Sequence, residues 1–206
     1  MRNSVRPPQS ELDFVRLVRT VAHPHTIKDI MRFAYADPPY YGQGRKRYGH
    51  HPDACVYDTV EGHATLIERL VNDYPDGWAL SCNPRDLTWQ LPMCPDDIRI
   101  AAWVKTWHQI RPTGVQHAWE AVIFRTEKKT SPKPMVRDWL AGAATRGTGV
   151  VGAKPHAFNR WVLDLLGFDA LEDELQDLFP GSGGMAAATA ELTLLWPPPR
   201  KAAETA

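Results

Sequence analysis

The run Ile30-Met31-Arg32-Phe33-Ala34-Tyr35-Ala36 stops at Asp37-Pro38-Pro39. It is rich in strand formers, and two consecutive prolines can neither donate to a ladder nor sit inside a sheet, so a buried strand ending at Asp37 is expected. A strand cut off so sharply presents the polar residues after it at its carboxyl end, where ligands collect in open α/β sheets. The rest of the chain must then supply a sheet and helices to cover it.

It does so in an alternating pattern. Ser10 to Val18 has an N-cap serine and apolar residues at helical spacing, which predicts a short helix after a polar arm. Residues 41–59 hold Arg45, Lys46, Arg47, His50 and His51 among glycines with no apolar period, which reads as a long basic loop. Leu66, Ile67, Leu70 and Val71 share one face of a helix over 62–72, and Pro75-Asp76-Gly77 turns into a strand over 78–81. Strands are expected over 98–104 and 118–124, joined by an antiparallel return because the intervening residues lack helical period. Residues 126–151 read as a linker or flexible recognition segment. A helix over 155–166 carries Phe158, Trp161, Val162, Leu165 and Leu166 on one face and stops at Gly167. A strand over 174–179, a glycine-rich turn and an Ala-rich helix over 185–195 follow, ended by three prolines.

The chain has 206 residues, 43% of them hydrophobic and 23% charged, which fits one folded domain and excludes disordered and fibrous classes. Twenty-four basic side chains balance 24 acidic ones, so bulk charge cannot drive binding to a polyanion or an anionic membrane, and any basic surface must be local. No run approaches the roughly eighteen apolar residues of a membrane span, and the amino terminus lacks a signal-peptide stretch, so no membrane partner and a cytoplasmic location are expected. Cys55, Cys82 and Cys94 form no close pair, and His23, His25, His50, His51 and His63 lack ligand spacing. Neither a disulfide framework nor a metal is therefore indicated, and the histidines read as loop or solvated residues. Trp103, Trp107 and Trp119 read as core.

Two segments that follow expected strands carry the chemistry. Asp37-Pro38-Pro39-Tyr40 should arise by chance in roughly one chain in a thousand of this length. It resembles the DPPY signature of S-adenosylmethionine-dependent amino methyltransferases, and the surrounding chain resembles their DNA N6-adenine class of phage and bacterial type. Asp177-Leu178-Phe179-Pro180-Gly181-Ser182-Gly183 resembles that family's Asp-x-Phe-x-Gly-x-Gly cofactor loop. Lys154-Pro155 resembles the Lys-Pro helix start of members with permuted motif order, in which the catalytic motif comes first and the cofactor loop late. The resemblance spans about residues 30–185.

It implies a reduced Rossmann-like methyltransferase sheet of class α/β, with an arm and helix over 1–29, the methyltransferase domain over 30–196 and a polar tail over 197–206. It further implies S-adenosylmethionine as cofactor, DNA as partner, and methyl transfer to adenine N6. RNA adenine, cytosine N4 and a non-catalytic binding module are the alternatives.

The residues are suited to this chemistry. An exocyclic amine is a poor nucleophile because its lone pair is delocalised, so acceptors aimed at its N–H groups favour the more tetrahedral nitrogen of the transition state. The Asp37 carboxylate and the Pro38 carbonyl are the expected pair, Pro39 stiffens the turn, and Tyr40 offers a stacking face. Lys154, Asp177, Phe179, Pro180, Gly181, Ser182 and Gly183 are the expected cofactor residues. Arg45, Lys46 and Arg47 are expected on nucleic-acid phosphates, with a solvated loop as the bland alternative. The family follows its glycine loop with two further strands, for which this chain has no room before Ala206. A ribose ligand is therefore unassigned, and the glycine-loop strand is expected at a sheet edge, open to a homodimer partner, another chain or the amino-terminal arm.

Overall fold

The computed structural model describes residues 30–49, 51–106, 112, 114–128, 135–144 and 152–195. The expected helix over 10–18, the arm, the tail, His23, His25, His50 and Trp107 lie outside the described residues. Six strands form one mixed sheet: β1 (Arg32–Ala36), β2 (Gly77–Cys82), β3 (Arg99–Lys105), β4 (Trp119–Thr126), β5 (Trp139–Gly142) and β6 (Glu174–Asp177), in the order β5-β3-β4-β2-β1-β6. Strand β1 is parallel to both β2 and β6, while β4 runs antiparallel to β2 and β3. The expected antiparallel return and the edge position of the glycine-loop strand are both present.

Alternation along β1 decides what each helix layer covers. Phe33 and Tyr35 face one side with Trp103, Val122 and Phe124, and there α4 (His156–Leu166) buries Phe158, Trp161, Val162, Leu165 and Leu166. Ala34 and Ala36 face the other with Trp78, Leu80 and Ile123, covered by Leu66, Ile67 and Leu70 of α2 (Val60–Asp73). Each such large apolar side chain contributes about 2 kcal/mol of transfer free energy. The Thr59 hydroxyl accepts the Gly62 N–H at 3.0 Å to start α2, and Gly167, left-handed at φ 67°, ends α4. A last helix, α5 (Gly184–Leu195), packs on α4 through Met185 and Ala188. No helix among the described residues is long and apolar enough to cross a membrane.

Four expectations are corrected. Residues 41–59 form a short helix, α1 (Gly44–Tyr48), and a 3-10 helix, Pro52–Asp58, instead of a loop. They are held together because the Asp58 carboxylate accepts the Gly44 and Arg45 N–H groups at 2.5 and 2.7 Å. A Cβ at Gly44 would stand 2.0 Å from the Ala54 carbonyl oxygen, so only glycine permits this approach. The segment 126–151 contributes β5, parallel to β3 at the far edge. His63 is a core residue on α2, with Nε2 3.0 Å from the Tyr57 carbonyl and its ring against Trp89, not a loop histidine. Trp103 is buried as expected, but Trp119, the first residue of β4, is 38% exposed. The three-residue helical turns at Pro84–Asp86 and Leu91–Met93, with α3 (Leu87–Gln90) between them, complete the connection from β2 to β3.

Candidate active site

Strand register brings the site together. Tyr35 pairs with Asp177 across β1 and β6, so Asp37 and Phe179 both emerge from the same end of the sheet. Ala36 pairs with Leu80, Leu80 with Ile123, and Cys82 with Ala121, which sets Glu120 of β4 at that same end. Asp37 shares the parity of Phe33 and Tyr35, and Glu120 that of Val122, so both carboxylates lie on the α4 side. Lys154 and Pro155 lead into α4 on that side. A lysine and two acids thus meet although 117 residues separate Lys154 from Asp37.

The Lys154 ammonium donates to both oxygens of Asp37, at 2.7 and 2.6 Å, and stands 3.4 Å from Glu120 Oε2. The Tyr40 hydroxyl donates to Glu120 Oε2 at 2.6 Å, and Lys105 pairs with Glu120 Oε1. Lys154 also lies over the rings of Tyr40 and Phe158, 5.6 and 5.8 Å from their centroids. Only 8% of its side chain is exposed, so this is a desolvated ion network in which the partners are obligatory. Two lysines match two carboxylates.

The protonation pattern follows from burial and neighbours. Burial pushes the Glu120 carboxyl up, but Lys154, Lys105 and the Tyr40 hydroxyl outweigh it and hold the group down at about 2. Asp37 moves the other way: burial raises its pKa, Lys154 opposes, and the Glu120 charge adds to the rise. Burial lowers Lys154, but Asp37 and Glu120 more than compensate and keep it a cation. Tyr40 is pushed well up by burial and then by Glu120 and Asp37, which keeps it a hydrogen-bond donor.

Beside this cluster, β6 runs into the turn 178–183. The Asp177 carboxylate accepts the Phe179 N–H at 3.1 Å, and burial raises its pKa. Gly183 N–H donates to the Pro180 carbonyl at 2.7 Å, closing a turn in which Gly181 and Gly183 have φ of 45° and 75°, a region that favours glycine. A Cβ at Gly183 would meet nothing within 4 Å, so the turn faces open space beyond its own backbone. Phe179 packs edge-on against Tyr57, with ring centroids 5.0 Å apart, while Pro180 and Ser182 are exposed on the turn.

Of the residues expected from sequence, Asp37, Tyr40 and Lys154 are in one network, Pro38 is buried and Pro39 half-buried beside them. Asp177 and the turn to Gly183 sit at the adjacent strand end. The Lys154 side chain goes to Asp37, while its carbonyl would lie 3.7 Å from a Cβ on Gly184, so this residue touches both halves of the site. Arg45, Lys46 and Arg47 follow immediately on α1, whose approach is fixed by the Gln43 N–H on the Tyr40 carbonyl at 2.8 Å; all three side chains are exposed. Glu120 and Lys105 escaped the sequence reading.

No family model matches the chain, and no curated protein matches it. Solved structures do. M1.HpyAVI in complex with SAM matches over 79% of this chain and 79% of that one, with a TM-score of 0.53 and 19% identity. A second structure, of M1.HpyAVI, matches over 79% of this chain and 77% of that one, with a TM-score of 0.50 and the same 19% identity. The likeness is one of fold: a mixed α/β sheet with helices on its faces.

Proposed function

We propose that this chain is a methyltransferase that uses S-adenosylmethionine to methylate the N6 amine of adenine in DNA, with catalytic and cofactor motifs in permuted order. The observation that carries the reading is the placement of Asp37-Pro38-Pro39-Tyr40 and the 177–183 turn at the ends of two adjacent parallel strands. The SAM complex of M1.HpyAVI, which shares the fold, supports the choice of cofactor.

The turn's own features suit that cofactor: positive-φ glycines allow backbone approach, open space adjoins Gly183, and the Asp177 carboxylate can face a cationic amino group. S-adenosylmethionine, when bound, supplies a methyl on a sulfonium. The chain's residues then do the rest by positioning. Asp37 and the Pro38 carbonyl accept from the target amine, the prolines hold that pair rigid, and Tyr40, oriented by Glu120, gives the base a face to stack on.

Incubation with methyl-labelled cofactor and, separately, DNA, RNA and protein tests this, with nucleoside analysis of the product. Label in N6-methyladenine from DNA is expected. Label in RNA or in N4-methylcytosine would move the substrate, and absence of both transfer and cofactor binding by calorimetry would favour a non-catalytic module. That last reading has one observation in its favour: Asp37 has both oxygens occupied by Lys154.

A further inference from the structure

The occupied state of Asp37 is at odds with its proposed role. A carboxylate that must accept from an amine has its two oxygens taken by a buried ammonium at 2.7 and 2.6 Å. The same ammonium has an alternative acceptor 3.4 Å away in Glu120 Oε2, and Glu120 is itself fixed by Lys105 and by the Tyr40 hydroxyl. We propose that Lys154 is a latch on Asp37 and that Glu120 is the positioning residue that receives it when the target amine enters.

This proposal rests on the methyltransferase reading and deepens it. Moving the ammonium by a short side-chain rotation leaves it hydrogen-bonded throughout, so the desolvated charge never lacks a partner. Asp37 then exposes an oxygen to the incoming N–H. The charge count is unchanged by the exchange: Asp37 and Glu120 against Lys105 and Lys154. A neutral aromatic amine can therefore enter, whereas an alkylammonium would add an uncompensated positive charge beside a cation already seated. The latch thus gives the site a preference for nucleobase amines over protein lysines. It also explains why Glu120 lies within reach of Lys154, Lys105 and Tyr40 together, since Tyr40 is kept in place while the lysine moves.

Two measurements test it. The first needs no substrate: the Asp37 carboxyl is titrated by carbon-13 NMR in wild type, Glu120→Gln and Glu120→Asp. Among the described residues, the titratable groups around Asp37 are Lys154, Glu120, Lys105, Tyr35, Tyr40, Tyr48 and Asp177. With its second seat removed and a like charge gone, Lys154 stays on Asp37, and the Asp37 titration should move down in Glu120→Gln and stay near wild type in Glu120→Asp. An Asp37 titration unmoved in Glu120→Gln overturns the latch, whatever the enzyme's activity.

The second is a double-mutant cycle on methyl transfer. Glu120→Gln should lower kcat by about tenfold or more at cofactor affinity within a few-fold of wild type, and it should have no further effect in a Lys154→Met background, where nothing needs parking. An equal loss in both backgrounds overturns the proposal and makes Glu120 merely structural. A folded wild type that transfers no methyl to any nucleic acid counts against the methyltransferase reading, while an Asp37 titration unmoved in Glu120→Gln still overturns the latch. Should Glu120→Gln fail to fold, the cycle is run with Glu120→Asp, whose shortened acid predicts a smaller loss that also vanishes in Lys154→Met.

Discussion

Asp37 carries the sharpest prediction at the residue scale. Asp37→Ala should cut methyl transfer by about a hundredfold or more with cofactor affinity held within a few-fold, because its acceptor acts on the amine and not on the cofactor. Steady-state kinetics with calorimetry separates the two, and equal activity would remove Asp37 from the chemistry. Glu120 predicts a pH dependence of stability. Its carboxyl is held down at about 2 in the folded chain against an ordinary 4.5, so its contribution is present above the unfolded value and is lost as pH falls from about 4.5 towards 2. Asp37, raised by burial, acts with the opposite sign: its protonated form favours the fold, and that contribution is lost as pH rises through its raised folded value. Thermal unfolding should therefore show the wild type's advantage over Glu120→Gln shrinking between about pH 5 and pH 2; a constant difference would contradict the ion network. Asp37 and Lys154 were legible in the sequence because each opens or closes a recognisable string. Glu120 was not, since a lone acid in Trp119-Glu120-Ala121-Val122 reads as the outward residue of an alternating strand. Its importance arises from register with β2 and from a lysine far away in the chain, neither of which leaves a local pattern.

At the scale of elements, strands and long helices were legible because they bury one face: Phe33 and Tyr35 on β1, and Leu66, Ile67 and Leu70 on α2, announce it. Helix α1 was hidden because its buried residue is Gly44, which has no hydrophobic signal, and its remaining side chains are polar or basic. Strand β5 was hidden for a related reason: it has four residues, lies at an edge and leaves Trp139 48% exposed. Gly44→Ala should loosen α1 from the 3-10 helix, since the added methyl meets the Ala54 carbonyl. Hydrogen exchange should quicken over 44–58 while the sheet stays protected. Uniform protection would mean that the backbone shifts at little cost. In the turn proposed for the cofactor, Gly183→Val should abolish binding of the demethylated cofactor by calorimetry. The loss comes from the positive φ and from a branched side chain projecting into the open space, with no clash inside the protein. Undiminished affinity would place the ligand elsewhere.

For the whole molecule, zero formal net charge means that grip on a polyanion must come from a local patch, and α1 offers Arg45, Lys46 and Arg47 beside the Tyr40 turn. Consecutive helical residues fan out by about 100° each, so two of the three can follow one phosphate strand at a time. Replacing all three by alanine should flatten the slope of log affinity against log salt by about 1.8 for duplex DNA, with sequence preference retained. An unchanged slope would move the track off α1. The cysteines, which contribute nothing to the proposed chemistry, provide a way to watch that patch. Cys82 is buried and Cys94 partly so, with burial pushing Cys94 up to about 11, whereas Cys55 is exposed on the 3-10 helix braced against α1. A single alkylating fluorophore should therefore attach at one position without mutagenesis, and its emission would follow the docking of a nucleic acid in real time.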